Sequence, residues 1–181
     1  MEAITKALEL GFTYAKKVLV EDIDFSPEFR VCCEDNLCGN YGASYSCPPL
    51  CGTVEEMIAR TKKYKYGLLI CTACEGVDAY DWEQADLIKA DHIQRQNMLM
   101  KELLEGGILP SDGLPIYAGA CSLCETCRAK EGKPCPMPEK VACCMSAYCI
   151  NVTTLSEKAG IPISWDGDQI SFYSMYLYNE Q

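Results

Sequence analysis

The sequence predicts a single α+β domain in which helices pack on one mixed β-sheet that carries two cysteine-rich loops. Its 181 residues suffice for one domain with a substantial core, but not for several domains. Helical and extended apolar segments alternate, and no Pro/Ser-rich linker or low-complexity stretch separates them. The chain has 14 cysteines and one histidine, a cysteine content typical of cross-linked or metal-loaded chains. We therefore expect one compact cysteine-rich domain over residues 1–181.

Apolar spacing and one capping motif predict the elements of the first 72 residues. An apolar stripe at helical spacing over residues 4–19 predicts an opening helix. Alternation over residues 29–33 predicts a short strand that leads into the first cysteine-rich stretch. Thr53 and Glu56 have the spacing of a capping box and predict a helix that ends at about residue 64. The apolar run over residues 66–72 then predicts a buried strand.

The second half of the chain supplies one long helix and two further extended segments. Residues 86–105 lack Gly and Pro and carry a broad apolar arc, so they predict a helix that Gly106 ends. Residues 115–120 are predicted to be extended, and Pro138 is suited to open a further helix. Alternation over residues 169–178 predicts a closing strand with two different faces. We expect both cysteine-rich loops at one edge of the sheet.

The charge balance excludes two classes of partner. Lys and Arg number 16 and Asp and Glu number 26, which gives a net charge of −10. Such a surface repels phosphate backbones and anionic lipids, so neither nucleic acid nor a membrane is an expected partner. Charged residues interrupt any leader-like apolar run over residues 1–20. We expect a cytoplasmic protein whose cysteines, in a reducing compartment, bind metal instead of forming disulfides.

The most specific motif is Cys121-x2-Cys124-x2-Cys127-x7-Cys135-Pro136, in the second cysteine loop, residues 121–138. Three thiolates spaced in this way let one tight loop bind three corners of a cubane 4Fe–4S cluster, as in bacterial ferredoxins. The last gap is seven residues instead of three, which leaves open whether Cys135 completes this cluster. A structural zinc site is the alternative, although zinc prefers two separated Cys-x2-Cys pairs.

The first cysteine loop, residues 33–52, contains the second motif, Cys33-x4-Cys38-x8-Cys47-Pro48-Pro49-x-Cys51. Glycines in this stretch let the backbone fold closely around a bulky inorganic core. The alternative is that some of these cysteines pack as small apolar residues. Because four thiols lie within 19 positions of a turn-rich loop, we predict that Cys33, Cys38, Cys47 and Cys51 bind a second metal centre.

Six cysteines and the single histidine remain outside these two sets. Cys71 and Cys74 follow an apolar run, which favours burial over dithiol chemistry. His92 falls on the apolar side of its predicted helix, where a hydrogen-bonded core histidine is expected. Cys143, Cys144 and Cys149 have three possible roles. They could supply a missing fourth ligand, hold a third cluster with another donor, or pack beside the clusters. Cys32 has no assigned role.

These motifs resemble those of the prokaryotic predicted metal-binding protein family known as domain of unknown function 2284, over nearly the whole chain. The similarity lies in Cys33-x4-Cys38-x2-Tyr41-Gly42-x4-Cys47-Pro48-Pro49, in Gly119-Ala120-Cys121-x2-Cys124-x2-Cys127 with Cys135 beyond it, and in residues 145–152 with the closing strand. Cys144, Ser146 and Cys149 stand where the family has Ser, Glu and Gly. The resemblance implies metal binding in anaerobic prokaryotes, as iron–sulfur clusters, and implies no particular reaction.

Three functional hypotheses follow. The first is an electron-transfer or cluster-carrying protein with two 4Fe–4S clusters, whose acidic surface docks a basic redox partner or supports a partner enzyme. The second is an enzyme or maturation factor in which one cluster has an open or labile corner. The third is a non-redox zinc module for interaction. Three protein sulfurs on one cluster would favour the second hypothesis, and four on each would favour the first.

Overall fold

One mixed five-stranded sheet organises the residues that the computed structural model describes, 1–164 and 166–180. The strands are β1 (Tyr14–Leu19), β2 (Tyr66–Glu75), β3 (Leu114–Tyr117), β4 (Cys143–Cys144) and β5 (Gln169–Tyr178). The helices are α1 (Glu2–Glu9), α2 (Phe29–Glu34), α3 (Val54–Thr61), α4 (Trp82–Glu105) and α5 (Val152–Ala159). This architecture confirms the predicted single compact α+β domain.

The strand order is β1-β2-β5-β3-β4. The cysteine-containing strand β4 forms one edge of the sheet, next to β3. β2 pairs antiparallel with β1 and, along its whole length, with β5. β3 is antiparallel to β5 but parallel to β4, in a register that sets Tyr117 opposite Cys144. The second cysteine loop lies in the connection between β3 and β4, so it is at this edge of the sheet.

Apolar residues cover both faces of the sheet, because successive side chains of β2 and β5 point to opposite sides. On one face, Leu69 and Met175 belong to an apolar cluster that includes Met57 of α3 and Leu155 of α5. On the other face, a second apolar cluster joins β2 and β5 to α1 and α4; it includes Ala7, Leu68, Ile70, Leu99, Leu103 and Tyr176. The two-faced closing strand was predicted and is confirmed.

Two of the predicted elements are wrong. The predicted opening helix over residues 4–19 is in fact α1 followed by β1, and Gly11, at φ +88°, separates them. The second half of this segment forms a strand because all residues of β1 pair antiparallel with β2. The predicted strand over residues 29–33 is the helix α2. Its buried Arg30 donates a hydrogen bond of 3.1 Å to the Ala147 carbonyl, a tertiary contact that alternation over five residues does not encode.

Side-chain caps fix the starts of three helices. Thr53 and Glu56 form both hydrogen bonds of the predicted capping box at α3. α4 begins earlier than predicted because Asp81 Oδ1 accepts a hydrogen bond of 3.0 Å from the Gln84 N–H. α5 was not predicted, although its cap Asn151 accepts from the Thr154 N–H at 3.2 Å. The helix predicted to open at Pro138 is a single 3-10 turn, Pro138–Lys140.

His92 is a core residue, as predicted. Its ring is fully buried between α4 and the sheet, and Thr72 Oγ1 lies 2.8 Å from Nδ1. Ser174 Oγ lies 2.8 Å from Nε2 and donates in turn to Gln96 Oε1 at 2.7 Å. Burial lowers the pKa of His92 to about 4, so the ring is neutral in the folded protein.

None of the helices in the described part of the chain combines the length and the hydropathy that a bilayer crossing requires.

Candidate metal centres

All four cysteines of the second loop line one small cavity. Cys121, Cys124, Cys127 and Cys135 share its wall with residues 44–46 of the first cysteine loop, around a volume of about 20 Å³. The spacing of the sequence left the position of Cys135 open, and the structure brings it to the same cavity as the other three. We call this the small cavity.

The second cysteine loop has little packing of its own. No residue from 121 to 141 is buried, and its regular structure is limited to 3-10 turns. The loop therefore gains little hydrophobic free energy to offset the entropy lost when it is ordered. We therefore expect its order to depend on its cysteines and on contacts with the first loop.

The surroundings of Cys127 favour its thiolate form. Burial alone would raise the pKa of this thiol, but donors from the backbone of Ala129 and Tyr45 and from the Ser44 hydroxyl outweigh burial and lower it. N–H and O–H donors aimed at sulfur stabilise a thiolate, whether it is free or bound to metal.

Residues 44–46 form a wall shared by the two loops. The buried Ser46 Oγ accepts a hydrogen bond of 2.8 Å from the Cys121 N–H. The same Oγ lies 3.7 Å from Cys47 Sγ and 3.0 Å from Ser44 Oγ. Tyr45 adds a hydrogen bond of 2.9 Å from its hydroxyl to the Lys133 carbonyl. The two cysteine loops are thus in direct contact, with a cysteine on each side of Ser46.

A second, large cavity of about 960 Å³ is lined by three cysteines of the first loop, Cys33, Cys38 and Cys47, and by Cys144 of β4. Burial raises the pKa of Cys33 to about 12, and the neighbouring thiol of Cys144 adds to the rise. Burial likewise raises the pKa of Cys47 to about 11, against a lowering hydrogen bond from Ser46. The four thiols lie close enough to influence one another's ionisation. Cys32 also lines this cavity, but it is exposed.

Cys51, which we predicted as a ligand with Cys33, Cys38 and Cys47, does not line the large cavity. It is 5 % exposed, and its Sγ accepts a hydrogen bond of 3.5 Å from Arg30 Nη1. A hydrogen bond from the Cys143 thiol lowers the pKa of Cys51, and Arg30 adds to this effect. Cys51 therefore faces Arg30 and Cys143 instead of the large cavity.

Cys144 lines the large cavity beside the three thiols of the first loop, whereas Cys51 does not. The sequence allowed this role, because Cys143, Cys144 and Cys149 were open as a source of a fourth ligand. It could not select Cys144, since the residue reaches the first loop only through the parallel pairing of β4 with β3. Spacing along the chain carries no information on such a contact.

The remaining cysteines are placed as packing residues or on the surface. Cys71 is fully buried in β2, and burial raises its pKa to about 12. All 14 thiols are free of disulfide bonds. In residues 1–164 and 166–180, no three His, Cys, Asp or Glu side chains converge closely enough to hold a single metal ion. The donors around both cavities are thiols, which suit soft metals such as iron in clusters, or zinc.

The comparison with known proteins agrees with this donor chemistry. No curated protein and no solved structure matches the chain. A family model described as predicted metal-binding protein (DUF2284) matches residues 16–178, a range that includes both cysteine loops and β4. The chain therefore belongs to DUF2284, a family of predicted metal-binding proteins.

Proposed function

We propose that this protein binds two 4Fe–4S clusters and transfers electrons between them and a partner protein. One cluster would be bound by Cys121, Cys124, Cys127 and Cys135. The other would be bound by Cys33, Cys38, Cys47 and Cys144. The observation that carries the proposal is that each of these sets of four thiols lines its own cavity. The clusters would supply one-electron chemistry, and the chain would fix their positions and potentials.

The arrangement of the thiols favours a cluster over a single zinc ion. Each cysteine of a cubane binds a different iron, so the sulfurs surround a cavity. A structural zinc instead draws four ligands to about 2.3 Å from one point. The three cysteines spaced two residues apart in the second loop are the cubane pattern, whereas zinc sites use separated pairs.

Two further features support electron transfer. The wall of residues 44–46 separates the small cavity from Cys47 by the thickness of one backbone segment, so two clusters would be neighbours. Neighbouring clusters exchange electrons within the protein and present one of them to a partner. The net charge of −10 favours a partner with a basic docking surface, because opposite potentials steer association.

Spectroscopy of protein purified without oxygen tests the proposal. We expect visible absorption that bleaches on chemical reduction, and an electron paramagnetic resonance spectrum broadened by coupling between two reduced clusters. Cys124→Ser should remove one cluster and with it the coupling, since a hydroxyl is a poor ligand for soft metals. Cys74→Ala, in β2 and away from both cavities, is the matched control. A colourless protein that contains stoichiometric zinc would contradict the proposal.

A further inference from the structure

We propose that the large cavity also binds a small aromatic carboxylate, beside the cysteines of the first loop. This inference goes beyond electron transfer and assigns the cavity a ligand of its own. Its volume of about 960 Å³ far exceeds the 20 Å³ that the four cysteines of the second loop surround. A volume of this size is within the range of small-molecule sites, roughly 300–1,000 Å³.

Part of the cavity lining fits a flat apolar body. It includes the aromatic residues Tyr80, Tyr117 and Phe172, together with the aliphatic Ile93 of α4. Aromatic walls stack on planar ligands and lose little side-chain entropy on binding. Tyr80 is 77 % exposed, so its ring has free surface to contact a ligand.

The charge of the wall indicates an anionic group on that ligand. The chain has 26 acidic residues, yet none of the described residues that line the large cavity is acidic, and Lys89 is the sole charged one. The Lys89 stem passes over Gly119, where a β-carbon would meet Lys89 Cδ at 3.8 Å. Its Nζ contacts Asp86 Oδ1 at 2.5 Å, but that carboxylate is 73 % exposed, so the ion pair is weak and leaves donors for a ligand.

Calorimetric titration of the anaerobically purified protein tests this inference. The probes are 4-hydroxyphenylacetate, benzoate and indole-3-acetate, each paired with its neutral amide. We expect at least one acid to bind more tightly than its amide. Lys89→Gln should weaken the acid about 10-fold or more and leave the amide unchanged, since the lost hydrogen bond is charge-assisted. Lys89→Arg should restore the preference, and Lys101→Gln, on the same helix outside the cavity, should change neither affinity.

Two results would overturn the inference. The first is that none of the three acids binds more tightly than about 10 mM. The second is that acid and amide bind equally, or that Lys89→Gln weakens both alike. Iron and sulfide are measured in the same samples, so a failure of the cluster proposal is recognised separately. The cavity wall that carries Lys89 and the aromatic rings does not depend on which metal the cysteines hold.

Discussion

Ser46 Oγ accepts a hydrogen bond of 2.8 Å from the backbone N–H of Cys121, and this contact joins the two cysteine loops. Ser46 precedes Cys47 of the first loop, and Cys121 is the first cysteine of the second loop. Ser46 is 1 % exposed, so removal of its hydroxyl leaves the Cys121 N–H without its protein acceptor. Loss of this contact should therefore loosen the second loop where it meets the first.

Replacement of Ser46 by Ala tests this coupling. The Cys121 N–H loses its acceptor, and we expect the free energy of unfolding to fall by about 1 kcal/mol or more. Chemical denaturation measures the change, and proteolysis should show faster cleavage of the second loop. Ser122→Ala, at an exposed position of the same loop, is the control and should have little effect. Equal behaviour of the two variants would show that the contact does not couple the loops.

The identity of the fourth ligand in the large cavity can be decided by a pair of variants. Cys144→Ser should lower the iron content by about four atoms per chain, because one cluster loses a sulfur. Cys51→Ser should keep the iron, since Cys51 faces Arg30 and Cys143 instead of the cavity. Iron analysis with a thermal unfolding control measures both. The reverse pattern would return Cys51 to the role that its spacing predicted.

Metal removal should loosen the second loop first. Residues 121–141 include no buried residue, whereas Ser44, Ser46, Cys47 and Cys51 of the first loop are buried. Limited proteolysis with and without chelator, under reductant and without oxygen, should reveal new cleavage within residues 121–141. α4 should resist cleavage in both samples, because its apolar face packs on the sheet. Identical patterns would mean that packing, and not metal, orders the loop.

His92 should make the protein less stable in acid. Its pKa in the fold is about 4, below the ordinary value of about 6.5, because its ring is buried. Between these values only the unfolded chain takes up the proton. The free energy of unfolding should thus be unaffected above about pH 6.5 and should fall by roughly 3 kcal/mol as pH decreases towards 4.

Because the chain has a single histidine, proton NMR can follow this group alone. The ring signals should not shift between about pH 7.5 and pH 5. His92→Gln, which cannot titrate, should show a weaker dependence of stability on pH over the same range. A midpoint near pH 6.5 in the folded protein would contradict the buried, neutral ring.

The sequence predicted elements whose signals are local. β5 has the predicted bounds, and the capping box starts α3 where expected, because alternation and capping involve near neighbours in the chain. The opening segment was misassigned, since a helical stripe does not encode the pairing of β1 with β2. α2 was misassigned because three of its residues alternate by chance, while buried Arg30 fixes the segment through distant carbonyls.

The same limit applies to the candidate metal centres. Cys121, Cys124 and Cys127 share a loop, so their convergence on one cavity follows from local spacing. The position of Ser46 depends on a contact across 75 residues of chain, and that of Cys144 on the pairing of β4 with β3; motif spacing reports neither. Contacts of this kind and the large cavity can be identified only once the fold is known.

Metal and acid-labile sulfide analysis of the protein purified without oxygen tests the central claim most directly. Two cubane clusters predict about eight iron and about eight sulfide per chain, with little zinc. Cys124→Ser should reduce both iron and sulfide by about half, in equal proportion. A chain that holds about one or two zinc ions and no sulfide would contradict the account.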